Sequence, residues 1–264
     1  MNCLIIGYGR AGKRHVKYAQ MYELDVATVD PLVDRQGEHY TSLDDALKAR
    51  AWDCAVIASP PEYHLAQLKV LTERGIPALC EKPLCGLGEL EQARQLPRQS
   101  PVMLALNYRY HPNLLAYHGK PMKPPLGWNM SGIQHRVLPS WGLLLDHLSH
   151  DLFIVDWMSG GITSLDNAVH LHGDCFESWE VWGETVTGHL LISDKVMKED
   201  YPRHASLKCA YGEIEIDANP RMFEAMWENF LLEHYDPGLN VGIRVQELLE
   251  RVAQIGGDKN GYTV

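Results

Sequence analysis

The chain has 264 residues, 45% of them hydrophobic and 22% charged, with a formal net charge of −10. That length suits one large domain or two modest ones, with enough apolar residue for a core that needs no staple. The acidic balance repels phosphate backbones and excludes nucleic acid as a default partner, and no apolar run approaches the ~18–20 residues of a membrane span. At the N-terminus no cationic segment precedes the apolar run 3–6, which leads straight into glycines. It reads as a buried strand rather than a leader, so the expected location is cytoplasmic. The six cysteines, Cys3, Cys54, Cys80, Cys85, Cys175 and Cys209, form no CxxC pair and read as small buried hydrophobes in a reducing compartment.

In chain order, strand 3–6 is followed by helical spacing over 11–22 and a strand over 24–29. A Ser-capped helix over 42–50 and a strand over 54–59 follow, the latter stopped by Pro60 and Pro61. Helix 62–75, strand 76–81, helix 87–96 and strand 102–107 complete the first region. Strand–helix alternation of this length predicts right-handed βαβ units, and the continuous apolar strands predict a parallel sheet buried on both faces. Beyond residue 110 the texture changes. Residues 120–127 form a proline-rich loop, and 142–158 a long helix. Residues 163–217 give strand-like pieces at 168–173, 179–183, 187–193, 205–212 and 213–217, and helices at 222–235 and 241–255 close the chain. Strands in succession predict an antiparallel sheet. Domains are expected over 1–110 and 111–264.

The stretch GYGRAG places Gly7, Gly9 and Gly12 in G-x-G-x-x-G between the first strand and the first helix. In that context Gly7 permits a tight turn, Gly9 lets backbone approach a pyrophosphate, and Gly12 allows close packing. Arg10, Lys13 and Arg14 are unfavourable for a helix N-terminus by itself but suit a bound anion. Asp30 ends the second strand 18 residues after Gly12, where a carboxylate accepts ribose hydroxyls and repels a 2′-phosphate. The cofactor reading is NAD rather than NADP.

LCEKPLCG, residues 79–86, sets a glutamate, a lysine and a proline between two cysteines. Lys82 stands at the C-terminal end of a predicted strand, the edge where open α/β sheets bind ligands. There an ammonium can hydrogen-bond a reacting oxygen and stabilise developing negative charge, and Pro83 can fix the turn through a cis peptide. In 142–158, Asp146 and His150 lie four residues apart on one helix face, opposite Leu144, Leu148, Leu152 and Val155. The helix is apolar on both sides, so this pair is expected to be buried, with His150 as proton acceptor and Asp146 orienting its ring. A metal at His147 and His150 is disfavoured, because the two rings diverge around the helix; no metal is expected.

Taken in order, these motifs resemble the glucose–fructose oxidoreductase / inositol dehydrogenase (Gfo/Idh/MocA) family. The matching residues are Gly7 to Gly12 with His15, Ala58-Ser59-Pro60-Pro61 with His64, Glu81-Lys82-Pro83, Asn107 with Arg109 and Pro112, and Gly142, Asp146 and His150. The motif's final aspartate falls one residue early, at Asp151, and Ser140 and Trp141 replace the usual glycine pair. The resemblance implies an α/β chain: an N-terminal Rossmann dinucleotide-binding domain, then a substrate-binding and oligomerisation domain with an open, mainly antiparallel sheet. It implies cofactor contacts from Gly7, Tyr8, Gly9, Arg10, Ala11, Gly12, Asp30, Ser59, Pro60, His64, Glu81, Lys82, Asn107 and Arg109. It implies hydride transfer at nicotinamide C4, with Lys82 and His150 as the acid–base pair and Asp146 in support.

The expected function is an NAD(P)-dependent oxidoreductase acting on a sugar, sugar derivative or cyclic polyol. A reductase of an imine or other non-sugar carbonyl, and a non-catalytic dinucleotide sensor, remain as alternatives. The expected partners are a small sugar-like molecule and a second copy of the chain, met through the second-domain sheet.

Overall fold

The computed structural model describes residues 1–33, 37–120, 126–133, 144–172, 176–197, 204–209, 212–216, 219, 221–257 and 262–263. Contacts cluster the chain into two units, Met1–Leu106 with Glu224–Arg244, and Asn107–Phe223 with Val245–Val264.

The first unit runs β1 (Asn2–Ile6), α1 (Arg10–Met21), β2 (Asp25–Val29), β3 (His39–Tyr40), α2 (Leu43–Ala49), β4 (Cys54–Ile57), α3 (Pro61–Glu73), β5 (Ala78–Cys80), α4 (Leu90–Arg94) and β6 (Val102–Leu104). All six strands are parallel, in the order β3-β2-β1-β4-β5-β6. Leu4, Ile5, Val56, Ile57 and Leu79 are all fully or almost fully buried, as a sheet covered on both faces requires. The chain leaves β1 toward β2 on one side and resumes at β4 on the other. The crevice between β1 and β4 is therefore the topological switch point, where such sheets bind ligands. Helix α1 buries Gly12, His15, Val16 and Ala19, one face at helical spacing, and His15 is the polar member of that face. Helix α2 starts on Ser42, whose Oγ accepts the Asp45 N–H at 3.1 Å. Helix α4 is shorter than the predicted 87–96, because Gly88 adopts a φ of +82° and keeps the preceding residues in a turn.

The second unit begins with a 3-10 turn, Asn107–Tyr110, and α5 (Pro112–Tyr117), which shorten the predicted strand 102–107. It continues with β7 (Leu126–Ile133), a π-helical turn (Leu144–Leu148), α6 (Ser149–Ser159), β8 (Ile162–His172), β9 (Phe176–Thr185), β10 (Gly188–Met197), β11 (His204–Cys209) and β12 (Gly212–Glu215). Its sheet has the order β12-β11-β7-β10-β9-β8-β13, with β13 at Tyr262–Thr263. Four pairings are antiparallel; β10–β7 and β13–β8 are parallel. The fold is thus the expected α/β arrangement, a Rossmann-type sheet plus a mainly antiparallel one. Strand β7 lies inside that sheet although the sequence showed none there. Gly127, Asn129 and Gly132 are residue types depleted in strands, and they lower its strand propensity. Leu152, Phe153, Ile154 and Val155 of α6 are all buried, as its two-sided apolar pattern predicts.

Helices α7 (Arg221–Leu231) and α8 (Leu239–Gly257) match the predicted closing helices. The sequence placed both in the second domain, yet Glu224–Arg244 packs with the first unit. Trp227 of α7 is fully buried there, its ring 5.8 Å from His15 and 6.5 Å from Tyr22. Gly242 lets α8 approach β6: a Cβ at that position would lie 2.8 Å from Leu104 Cδ2.

Candidate functional site

The glycine loop follows β1. Gly7 adopts a φ of +92°, and a Cβ there would lie 2.6 Å from the Ala58 carbonyl oxygen. A Cβ on Gly12 would fall 1.9 Å from the Gly7 carbonyl oxygen, so the first turn of α1 folds directly onto the loop. Gly9 has nothing within 4 Å of its Cβ position and caps α1 without a side-chain hydrogen bond. The first turn of α1 carries no acidic residue. Its N–H groups lack intrahelical acceptors and add the positive end of the helix dipole, so open space beside Gly9 fits a phosphate-bearing group. Lys13 Nζ lies 5.4 Å from the Tyr8 ring centroid. Arg14 Nη2 donates to Glu81 Oε1 at 3.2 Å.

Asp30 closes the same edge. Its Oδ2 accepts the Tyr8 N–H at 2.8 Å, and its Oδ1 accepts those of Leu32 and Val33 at 2.9 and 3.1 Å. A carboxylate offers roughly four acceptor sites, so one Oδ2 lone pair remains for a further donor such as a hydroxyl. Leu32, 91% exposed, follows two residues on.

At the ends of β4 and β5 the two turns are joined by His64. It is buried, with Nε2 2.8 Å from the Ser59 carbonyl oxygen and Nδ1 2.9 Å from that of Pro83. Burial lowers its pKa, against the two carbonyls and the Glu81 charge. A neutral ring donates to one carbonyl at a time. The Ser59 hydroxyl donates to Gln67 at 2.7 Å, and Pro60 caps α3. Glu81 is 8% exposed; its Oε1 accepts from His15 Nε2 at 3.0 Å and from Arg14, and its Oε2 from the Lys82 N–H at 3.3 Å. Burial alone would raise this carboxyl's pKa, but His15, Arg14 and Lys82 outweigh it and hold it at about 2. Lys82 itself is half-buried, and its bond to Pro83 is cis. Cys80 and Cys85 on either side are fully buried free thiols, and burial pushes the Cys80 thiol well above its ordinary value. They are packing residues. The sequence pointed to Glu81 and Lys82 but gave no sign that His15 and Glu81, 66 residues apart, would pair.

In the second unit, Asp146 lies in the π-helical turn and His150 in the first turn of α6. The sequence gave one continuous α-helix here; the wider turn brings His147 into the cluster. Asp146 Oδ2 is 3.8 Å from His147 Nε2, and His147 Nδ1 is 3.7 Å from Asp194 Oδ2, with Asp194 fully buried on β10. His150 packs edge-on against Tyr108 at 5.0 Å. Asp151 is fully buried. Asn107 is buried in the 3-10 turn, and the Arg109 guanidinium lies 4.4 Å from the Trp157 ring centroid, which also stacks on His118 at 4.3 Å. Sequence reasoning missed Asp194, a lone carboxylate in a strand with no local signal. Gly142, Ser140, Trp141 and Cys175 lie outside the described residues. Among the described residues no group of His, Cys, Asp and Glu side chains could hold a metal ion, and no helix is long and apolar enough to cross a membrane.

Residues 1–108 match the family described as "Oxidoreductase family, NAD-binding Rossmann fold". An inositol 2-dehydrogenase of Corynebacterium glutamicum (strain R) is 27% identical over 143 residues, covering 46% of this chain and 39% of that one. The rhizopine catabolism protein MocA of Rhizobium meliloti is 32% identical over 123 residues, covering 42% and 38%. The match thus spans less than half the length of these curated relatives. Among solved structures, the UDP-N-acetylglucosamine 3-dehydrogenase GnnA of Acidithiobacillus ferrooxidans superposes with a TM-score of 0.78 at 18% identity, covering 98% of each chain. At that identity the likeness is one of fold. Over residues 1–108 the chain is thus similar to the NAD-binding Rossmann fold of the Gfo/Idh/MocA oxidoreductases.

Proposed function

We propose that the protein is an NAD-dependent dehydrogenase or reductase acting on a hydroxyl or carbonyl carbon of a sugar, sugar derivative or cyclic polyol. The observation that carries this reading is the shared sheet edge: Lys82 follows β5 on the edge that holds the open glycine loop and Asp30. The relatives' names, an inositol dehydrogenase and a UDP-N-acetylglucosamine dehydrogenase, support the substrate class.

The N–H groups opening α1 and the space at Gly9 would hold the pyrophosphate, and the remaining Oδ2 lone pair of Asp30 a ribose hydroxyl. The Asp30 charge favours NAD over NADP, whose 2′-phosphate it would repel. Exposed Leu32 offers an apolar surface for the purine. When bound, the dinucleotide supplies a two-electron donor or acceptor at nicotinamide C4. In the reducing direction Lys82 hydrogen-bonds the substrate oxygen and gives it a proton as the carbon is reduced; in the oxidising direction it takes that proton back. His150 is the second hydrogen-bonding and acid–base group, with Asp146 in support. A homo-oligomer through the second-unit sheet is supported by half-exposed Trp182 beside Leu191, which is 40% exposed.

Fluorescence titration with NADH and NADPH, followed by a panel of polyols, sugars, nucleotide sugars and imines read at the nicotinamide absorbance, tests the reading. Tighter NADH binding with turnover on a polyol or sugar is expected. Failure to bind either nucleotide would overturn it.

A further inference from the structure

Two buried histidines hold the neighbours of Lys82, His15 through the Glu81 carboxylate and His64 through the Pro83 carbonyl. On one side His15, fully buried on the apolar face of α1, donates from Nε2 to Glu81 Oε1 at 3.0 Å, and Glu81 Oε2 accepts the backbone N–H of Lys82 itself at 3.3 Å. On the other side, the His64 ring spans the Ser59 and Pro83 carbonyls at 2.8 and 2.9 Å. The backbone on both sides of Lys82 is therefore tied to α1 and to the start of α3. A buried carboxylate–imidazole pair is a costly way to fill space, since apolar residues of the same volume serve stability as well or better. What the pair supplies and an apolar contact does not is direction, because a charge-assisted hydrogen bond fixes where the Glu81 carboxylate points. The lysine side chain has four rotatable bonds and is half-buried, so the place its ammonium reaches depends on how its Cα is held.

We infer that His15 is a positioning residue, acting through Glu81 to set the place of the Lys82 ammonium. What Lys82 does there rests on the dehydrogenase reading; where it is held does not. His15 lies on α1, within the family's glycine-loop motif, and by this assignment that motif serves the reacting group as well as the cofactor.

The test compares His15→Leu with His15→Gln, whose amide N–H can still reach Glu81. Reductive methylation with 13C-formaldehyde gives Lys82 a dimethylamine resonance, identified by its loss in Lys82→Met. In His15→Leu that resonance should shift and kcat should fall ten- to hundredfold, the range of a misplacement of about 1 Å. The NADH Kd should stay within about threefold, and His15→Gln should regain most of kcat. An unmoved resonance with kcat within twofold of the parent protein overturns the proposal. So does a His15→Gln variant as impaired as His15→Leu when both bind NADH normally. If the parent protein binds NADH but turns over nothing, the dehydrogenase reading fails, and the resonance alone decides the positioning. Should His15→Leu fail to fold, Glu81→Gln makes the same test, and an unmoved Lys82 resonance in that variant overturns the proposal.

Discussion

The Asp30 carboxylate accepts the Tyr8 amide N–H at 2.8 Å, so the end of the second strand and the glycine loop are one hydrogen-bonded piece. The group proposed to read the ribose therefore also fixes the loop proposed to hold the pyrophosphate.

Asp30→Ala removes both at once. A hydrogen bond to a charged group contributes about 1.5–3 kcal/mol, so NADH affinity should fall roughly ten- to a hundredfold. NADPH affinity should fall less, because the repulsion of its extra phosphate goes too. Parallel titrations of the variant with both nucleotides check the change in ratio.

Gly9 and Gly12 should separate binding from folding. Gly9→Ala meets nothing within 4 Å, so its melting temperature should stay within a few degrees while dinucleotide affinity drops at least tenfold. Gly12→Ala drives a methyl to 1.9 Å from a backbone carbonyl and should destabilise by several kcal/mol, in the range that marks overpacking and strain. Thermal melts with and without NADH distinguish the two.

Lys82→Met should leave the fold and NADH binding intact, since the side chain is half-buried at a strand end and the methionine keeps most of its apolar stem. Turnover should fall by about 10² to 10⁴, the usual share of a positioned proton donor. Single-turnover kinetics at saturating NADH would show the loss in the chemical step.

Acid should undo the strand-end network. Glu81 has its pKa lowered from 4.5 to about 2 in the folded chain, so its contribution is fully present above pH 4.5 and lost as pH falls toward 2. The difference corresponds to about 3 kcal/mol. His64, also lowered, adds to the loss below its ordinary 6.5, because the unfolded chain takes up that proton more readily. Urea midpoints at pH 7, 5, 4 and 3 should fall progressively, and Glu81→Gln should flatten the part below pH 5.

The sheet edge was legible because its causes are local. Gly7 needs a positive φ, Asp30 ends an apolar strand, and Lys82 interrupts one where a structural lysine has no reason to be. The partners of these residues were not legible. His15 meets Glu81 across 66 positions, Asp194 meets His147 from a strand that shows only alternation, and a five-residue π turn carries no periodic signature. Strand β7 escaped because two glycines and an asparagine lower its strand propensity; its pairing with β10 and β11 is decided by neighbours remote in sequence.

Trp227 gives the molecule's genealogy a constraint. The indole that covers His15 comes from residue 227, more than two hundred positions downstream, so a fragment ending at residue 110 would bare the imidazole beneath it. The cofactor half is not a cassette. Any exchange with a relative, by recombination or in the laboratory, has to carry two separate stretches of gene, and a swap of the first alone would deliver the motifs without the wall behind them.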